Sequence, residues 1–341
     1  MKPGNVVKPL GVFAVVIAVI LAGTAVAGTL TGSGAAGTPD GASVDGQSPG
    51  AFQPSAVLAE NDPEDGEISL ETDTEGKRIL VDSSHGNQYD RADLAPLADA
   101  LARDGHEVTF QGSSDGGFGG GGYNATLQGV DAVLILQPTE SFSESEIAGL
   151  EAFAEGDGRI AVLGDPPQTS MGSGLTGSVS TTRFSAQDLA GEFGLRLGAD
   201  SLYNIDDERN DNNYESIYVD PADGQLTDGV DRMQFDTARS VIATDDSATV
   251  VARAVEGTET LERRQAARYP VAAQNGNFVL VGDSAFVESS ERYDVDNEQF
   301  VSNLLEFLVT GDKDEDVPSA GGSGGFGGGD STGGNSTGGG F

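Results

Sequence analysis

The sequence predicts an α/β domain in which buried parallel strands alternate with amphipathic helices. One helix is indicated by Leu94, Leu97 and Leu101 on a single face, and a second by the capping box Ser143-Glu144-Ser145-Glu146. The apolar runs around these helices are typical of strands that are buried on both faces. Their order along the chain predicts a sheet with right-handed crossovers. The first four strands are expected at 78–82, 108–110, 130–136 and 160–163.

The second half of this region is less regular. Ser185 with Asp188 predicts the cap of a short helix, and Asn275-Gly276 predicts the turn of a β-hairpin. Asp296, with Gln299 three residues further on, predicts the start of a final helix that packs on the sheet. Further strands are expected at 217–219, 233–235, 249–255, 269–273 and 278–281.

The chain is strongly acidic. Of its 341 residues, 55 are Asp or Glu and 18 are Lys or Arg, which gives a formal net charge of −37 at pH 7. A nucleic-acid backbone requires clustered cations, so this charge argues against nucleic acid as a partner. The acids are spread along the chain and lysine is scarce, a pattern that predicts a halophilic protein working in molar salt. An ordinary acidic protein is the alternative.

Residues 1–30 predict an export segment. Lys2 and Lys8 precede a stretch from Leu10 to Leu30 that carries no charge. This stretch matches the roughly 20 residues that span a bilayer, which favours an uncleaved transmembrane anchor. The alternative is a signal peptide cleaved near Ala27, which would give a secreted protein. In both cases the preceding positive charge places the main domain outside the cytoplasm.

Two low-complexity segments flank the predicted domain. Residues 31–76 are rich in small, polar and acidic residues and predict a disordered linker. Residues 311–341 predict a disordered Gly/Ser-rich tail. The α/β domain is therefore expected over residues 77–310.

Acidic residues follow three of the predicted strands, in Asp82-Ser83-Ser84-His85, Gly164-Asp165 and Gly282-Asp283-Ser284. Ligands of open α/β sheets bind outside the carboxyl ends of the strands, so a ligand-binding site is expected there. Its residues are Asp82, Ser84, His85, Asp165, Asp283 and Ser284.

Two interpretations of these residues remain open. Asp82, His85, Asp165 and Asp283 could converge on a divalent cation that lowers the pKa of a bound water. Alternatively, each Asp caps the turn that follows it and His85 makes one local hydrogen bond.

The segment Gly282-Asp283-Ser284-Ala285-Phe286, followed by Asp296-Asn297 and Asn303-Leu304-Leu305, resembles a family. This family comprises uncharacterised class I glutamine amidotransferase-like domains of membrane-anchored proteins and of auxiliary subunits of gliding-motility-type ABC transporters. The opening 82–87 is similar to the same pattern. The resemblance covers residues 77 to about 310 and implies a flavodoxin-like three-layer sandwich. Together with the strand and turn patterns above, this gives an expected fold with a mostly parallel sheet and a C-terminal β-hairpin.

The resemblance does not imply amidotransfer. Catalytic members of the family use a Cys nucleophile on a sharp turn, and this chain contains no Cys. Pro166-Pro167 stands near the position where that turn is expected, and proline has no N–H to donate to an oxyanion. The domain is therefore expected to be non-catalytic and to need no cofactor.

These observations predict a membrane-anchored extracytoplasmic binding or scaffold domain that contacts a ligand or a protein partner at the cell surface. Two alternatives remain. One is a metal-assisted hydrolase built on Asp82, His85, Asp165 and Asp283. The other is an accessory subunit of a transporter or envelope complex.

Overall fold

The computed structural model describes residues 65–112, 122–171, 179–206, 209–210 and 212–318. The predicted anchor, most of the predicted linker and most of the predicted tail lie outside this part of the chain. Among the described residues, no helix combines the length and apolar character needed to cross a membrane.

The described chain alternates strands and helices up to residue 163 and is mainly strand from there to residue 281. Its α-helices are α1 (Ala95–Arg103), α2 (Gly122–Gln128), α3 (Glu144–Glu155), α4 (Gln187–Glu192) and α5 (Asn297–Val309). Its strands are β1 (Arg78–Ser83), β2 (Glu107–Gly112), β3 (Ala132–Leu136), β4 (Arg159–Leu163), β5 (Gln168–Met171), β6 (Val179–Thr182), β7 (Leu195–Tyr203), β8 (Ser216–Pro221), β9 (Met233–Asp236), β10 (Arg239–Ala243), β11 (Thr249–Ala254), β12 (Glu259–Thr260), β13 (Pro270–Asn275) and β14 (Phe278–Val281).

A nine-stranded mixed sheet organises the fold, in the order β2-β1-β3-β4-β14-β13-β11-β8-β9. The five strands from β2 to β14 are parallel, and the pairs from β14 to β9 are antiparallel. The α/β class is confirmed, but the expectation of a mostly parallel sheet is wrong. Parallel neighbours need a crossover, usually a helix, and no α-helix is described between β7 and β14.

The parallel half of the sheet is buried on both faces. Ile79 and Val81 of β1 pack in the same core cluster as α1 and α5, whereas Leu80 packs with α3 on the opposite face. This alternation follows from the pleat of a strand, which directs successive side chains to opposite sides. The layering of helix, sheet and helix is consistent with a flavodoxin-like α/β fold.

Two small sheets were not expected from the sequence. One has the order β10-β7-β12, and the other pairs β5 with β6. In β7 the apolar alternation is interrupted by Gly198 and Asp200, which weakens the pattern that identifies a strand. The first small sheet contacts the large one where the Arg239 amide donates to the Gly282 carbonyl oxygen at 2.6 Å.

Of the three predicted helix starts, one is confirmed as predicted and two differ in their capping contacts. The capping box of α3 is confirmed: Ser143 Oγ accepts from the Glu146 amide, and Glu146 accepts from the Ser143 amide at 2.8 Å. The cap expected from Ser185 is wrong, because its hydroxyl donates to the Thr139 carbonyl instead. Asp296 precedes α5 as expected, but its carboxylate accepts from the amides of residues 231 and 232 rather than capping the helix.

Residues 65–76 belong to the expected linker and form no helix or strand, and residues 66–71 lie beside α5. Ile68 is buried in the core, and the Ser69 amide donates to Ser302 Oγ at 3.2 Å. After α5, Lys313 is buried and donates to the carbonyl oxygens of Gln128 and Val317. The ordered fold thus extends beyond residues 77–310 at both ends.

We expect Gly282→Ala to destabilise the domain, because a Cβ at this position would lie 2.1 Å from the Arg239 carbonyl oxygen. Overpacking against backbone typically costs about 1–3 kcal/mol. Gly191→Ala in α4 is the matched control, since its Cβ would meet no atom within 4 Å. Thermal unfolding should show a lower Tm for the first variant and an unchanged or higher Tm for the second. Equal Tm values for the two variants would contradict this packing.

Candidate functional site

Polar side chains follow four adjacent parallel strands at their carboxyl ends. Asp82 lies at the end of β1, Gln137 directly after β3, Asp165 after β4 and Asp283 after β14. With about 4.8 Å between neighbouring strands, β1 lies about 10 Å from β4 and about 14 Å from β14. The predicted site residues therefore share one edge of the sheet but form two separate groups.

The first group, here called the His85 group, comprises Asp82, His85, Glu146, Tyr123 and Phe142. His85 Nδ1 lies 2.8 Å from Asp82 Oδ2, and its Nε2 lies 3.7 Å from Glu146 Oε2. The imidazole stacks on the Phe142 ring at 3.6 Å and meets the Tyr123 ring edge-on at 5.2 Å. Both ring nitrogens of this buried histidine therefore face carboxylates.

The opposite charges of His85 and its two carboxylate neighbours stabilise one another. Burial alone would lower the pKa of His85, but the Asp82 and Glu146 carboxylates more than offset it, so its pKa is raised. Burial likewise favours the neutral form of Glu146, yet hydrogen bonds from Ser143 and the charge of His85 lower the pKa of this carboxyl. Two carboxylates thus stabilise an imidazolium, which has no free lone pair for proton abstraction.

Ser84 contributes to the same group through its backbone. Its amide donates to Asp82 Oδ1 at 3.1 Å, while Asp82 Oδ2 is held by His85. Both carboxylate oxygens of Asp82 are therefore engaged by the turn that follows β1. This geometry matches the local interpretation of the Asp82-Ser83-Ser84-His85 sequence.

The second group, here called the Asp165 group, comprises Asp165, Asp283, Ser284 and Arg239. The Ser284 amide and hydroxyl both donate to the Asp165 carboxylate at 2.6 Å. Arg239 donates to the Asp165 carbonyl oxygen at 3.0 Å and to the Gly198 carbonyl oxygen at 2.7 Å. Asp283, which is fully buried, accepts from the amides of Ala285 and Phe286.

The surroundings act differently on the pKa of Asp283 and on the pKa of Asp165. Burial, together with the nearby Asp165 and Asp236 carboxylates, raises the pKa of Asp283 well above its ordinary value and favours its protonated form. Burial also raises the pKa of Asp165, but the Ser284 hydrogen bonds and the charge of Arg239 oppose this effect. Burial lowers the pKa of Arg239 to about 10, so it stays charged at neutral pH.

Gln137 lies between the two groups and is 2 % exposed. Its backbone adopts a φ of 37°, and its Oε1 accepts from the Asp165 amide at 2.8 Å. Within the described part of the chain, its Nε2 has no hydrogen-bond partner. An unpaired buried amide donor is costly, so this atom marks a place where a polar ligand or a water would be stabilised.

The metal hypothesis required Asp82, His85, Asp165 and Asp283 to converge. No hydrogen bond or ion pair joins the His85 group to the Asp165 group among the residues that the structure describes. Across those residues, no three His, Asp or Glu side chains form a group suited to hold a metal ion. Asp82 and His85 therefore lie in one group, and Asp165 and Asp283 lie in another.

Besides the rings of Tyr123 and Phe142, sequence reasoning missed three contributors to this edge. Gln137 follows β3 as directly as the acids follow their strands, so the same rule would have found it. Glu146 was interpreted only as the partner in a capping box, although its carboxylate also faces His85. Arg239 carries no local signal, because it reaches Asp165 from a different sheet.

We expect the two histidines to stabilise the fold at opposite ends of the pH range. The raised pKa of His85 means that its contribution is complete below about pH 6.5 and is lost as the pH rises through the raised value. Burial lowers the pKa of His106, so its contribution is present above about pH 6.5 and is lost as the pH falls.

The corresponding variants are His85→Gln and His106→Gln, each compared with the unmodified chain by thermal unfolding. The first should lower the Tm more at about pH 5.5 than at about pH 8.5, and the second should show the reverse. A His85→Gln penalty that grows with pH would contradict the imidazolium described above.

No protein-family model matches the sequence, and no curated protein matches it. Solved structures do share its fold. The mmIFT52 N-terminal domain is 14 % identical, with a TM-score of 0.53, over 69 % of this chain and 98 % of that chain. This likeness shows the fold alone.

Two ThuA-like proteins are also similar, and each is 10 % identical to this chain. The protein from Bacteroides uniformis ATCC 8492 has a TM-score of 0.42 and covers 71 % of this chain and 94 % of its own. The protein from Parabacteroides merdae ATCC 43184 has a TM-score of 0.39, with 69 % and 91 % covered.

Proposed function

We propose that this protein is a non-catalytic binding domain of the amidotransferase-like type, tethered to the outer face of a membrane and working in molar salt. The observation that carries the proposal is the engagement of the strand-end acids within the fold. Both oxygens of Asp82 and both oxygens of Asp165 accept hydrogen bonds from the protein itself.

The same edge lacks an arrangement for nucleophilic catalysis among the described residues. The sequence contains no Cys, and the Ser284 hydroxyl donates to the Asp165 carboxylate rather than to a histidine. His85 lies between two carboxylates that favour its protonated form. These contacts support binding over turnover, because a general base needs a free lone pair.

Among the described residues, Gln137 Nε2 and the Tyr123 hydroxyl are the buried donors at this edge without a partner, and we assign the ligand to Gln137. Its Nε2 is a donor, so the bound species would present a carbonyl, hydroxyl or carboxylate oxygen to it. The protonated form of Asp283 and the charged Arg239 lie on the β14 side, and the His85 group lies on the β1 side. The proposed ligand is therefore a small polar molecule or a polar segment of a protein partner.

The proposed location follows from the N-terminal sequence. The uncharged stretch from Leu10 to Leu30 would hold the domain at the membrane, with the acidic bulk outside the cytoplasm. A partner at that surface could belong to a transporter or envelope complex, in which this chain would be an accessory subunit. No observation favours the metal-assisted hydrolase, because the described acids do not form a ligand set.

The test is native mass spectrometry of the full chain, purified from its own membranes in molar salt. We expect the protein in the membrane fraction at its full-length mass, with a bound species at one site. Gln137→Glu keeps the oxygen that accepts from the Asp165 amide and removes the free donor, so the variant should fold and lose the bound species. The amount of bound species should fall more than about ten-fold, because a carboxylate replaces the neutral donor and would face the acceptor oxygen of the ligand.

The matched control for the added charge is Gln225→Glu. Gln225 is exposed on the short helical turn between β8 and β9 and belongs to neither the His85 group nor the Asp165 group. This variant should retain the bound species at the level of the unmodified chain.

Two results would overturn the proposal. One is a chain recovered wholly in the soluble cytoplasmic fraction. The other is steady turnover of a substrate that is abolished by His85→Gln, because the proposed role of His85 is to hold Asp82 and Glu146.

A further inference from the structure

A cavity of about 360 Å³ lies on the antiparallel half of the large sheet, apart from the strand-end groups. It is lined by Arg209, Tyr218, Asp220, Arg232, Val255, Glu256 and Arg268. Of the described residues that line it, three are arginines and two are acids, in a chain whose net charge is −37. The described lining therefore carries more cationic than acidic side chains, unlike the protein as a whole.

The sheet builds one wall of this cavity. In β8, Ile217 and Val219 point into the core, so the intervening Tyr218 and the following Asp220 lie on the opposite face. β8 is three strands from β14 in the sheet order, about 14 Å away. The cavity shares no residue with the His85 group or the Asp165 group.

Two of the arginines are held in place by acceptors of the protein. Arg209 donates to the Glu256 carbonyl oxygen at 2.6 Å, and its Nε lies 3.3 Å from an Asp206 carboxylate oxygen. Arg268 pairs with Asp220 at 2.5 Å. Their side chains stay 39 % and 52 % exposed, so each guanidinium keeps donors that face solvent.

Arg232 is held differently. Its guanidinium lies over the Tyr218 ring, 5.1 Å from the ring centroid. Among the residues that the structure describes, no carboxylate lies within 4.0 Å of this guanidinium. Stacking orients the planar group without using its five N–H donors, which leaves them available to an anion.

We propose that this cavity binds a small molecule through an oxyanion group, either phosphate, sulfate or carboxylate. Arg232 supplies the uncompensated charge and a planar pair of donors, and Arg209 and Arg268 flank it from fixed positions. The volume exceeds what a single oxyanion fills, so the ligand has room for an organic part. This site is independent of the function proposed for the strand-end edge.

In the molar salt proposed for this protein, such a site would work at short range. The Debye length falls to about 3 Å at 1 M salt, so long-range attraction between the cavity and an anion is screened. Direct hydrogen bonds between guanidinium groups and an oxyanion persist at contact distance. Selectivity over chloride would then come from the fork geometry of the arginines rather than from net charge.

The test is isothermal titration of the full chain with inorganic phosphate, sulfate and acetate, each at one fixed concentration of sodium chloride. We expect saturable binding of at least one probe, weakened about ten-fold or more by Arg232→Gln. Arg232→Lys keeps the charge and loses the fork, so it should restore only part of the affinity. Preference for acetate would identify a carboxylate ligand, and preference for phosphate or sulfate a tetrahedral one.

Arg196→Gln is the matched control, because Arg196 is exposed on β7 and does not line the cavity. It should bind like the unmodified chain, and thermal unfolding should show that all three variants remain folded. Absence of saturable binding for every probe would overturn the proposal. Equal affinities for the unmodified chain and a folded Arg232→Gln variant would also overturn it.

Discussion

Every carboxyl group buried at the carboxyl edge of the parallel strands must be neutralised or supplied with donors. An unpaired charge at such a position is too costly to keep. Asp82 is matched by His85 and the Ser84 amide, and Asp165 by Ser284. Asp283 is fully buried, and its raised pKa favours the neutral form.

Meeting this requirement leaves little free chemistry at the strand ends. In open α/β sheets this edge is the usual place for a ligand, and here its acids are occupied by neighbouring side chains and amides. Gln137 Nε2 and the Tyr123 hydroxyl are the buried donors at this edge without a partner among the described residues. Binding at the edge and anion binding by the arginine-lined cavity are therefore separate proposals, based on separate residues.

Local signals predicted the parallel half of the fold well. The apolar runs of β1, β3 and β4 and the capping box of α3 are short-range patterns, and each element forms where it was expected. The antiparallel half was predicted strand by strand, but not its place in the same sheet, because pairing such as β11 with β8 depends on contacts far apart in sequence. Strands β7 and β10 went unrecognised, and in β7 the cause is the interruption of the apolar alternation by Gly198 and Asp200. The candidate site was also predicted only in part. The rule that ligands bind at strand ends located Asp82 and Asp165. No local pattern shows that two strand spacings separate these residues, or that Arg239 reaches Asp165 from another sheet.

The interpretation of His85 as an imidazolium between two carboxylates can be measured by NMR titration of the two histidine side chains in the full chain. We expect the pKa of His85 to lie above the ordinary 6.5 and that of His106 below it. Nitrogen shifts should show both His85 ring nitrogens protonated at about pH 6. A pKa of His85 below that of His106, with one ring nitrogen unprotonated, would contradict this interpretation and indicate a histidine available as a base.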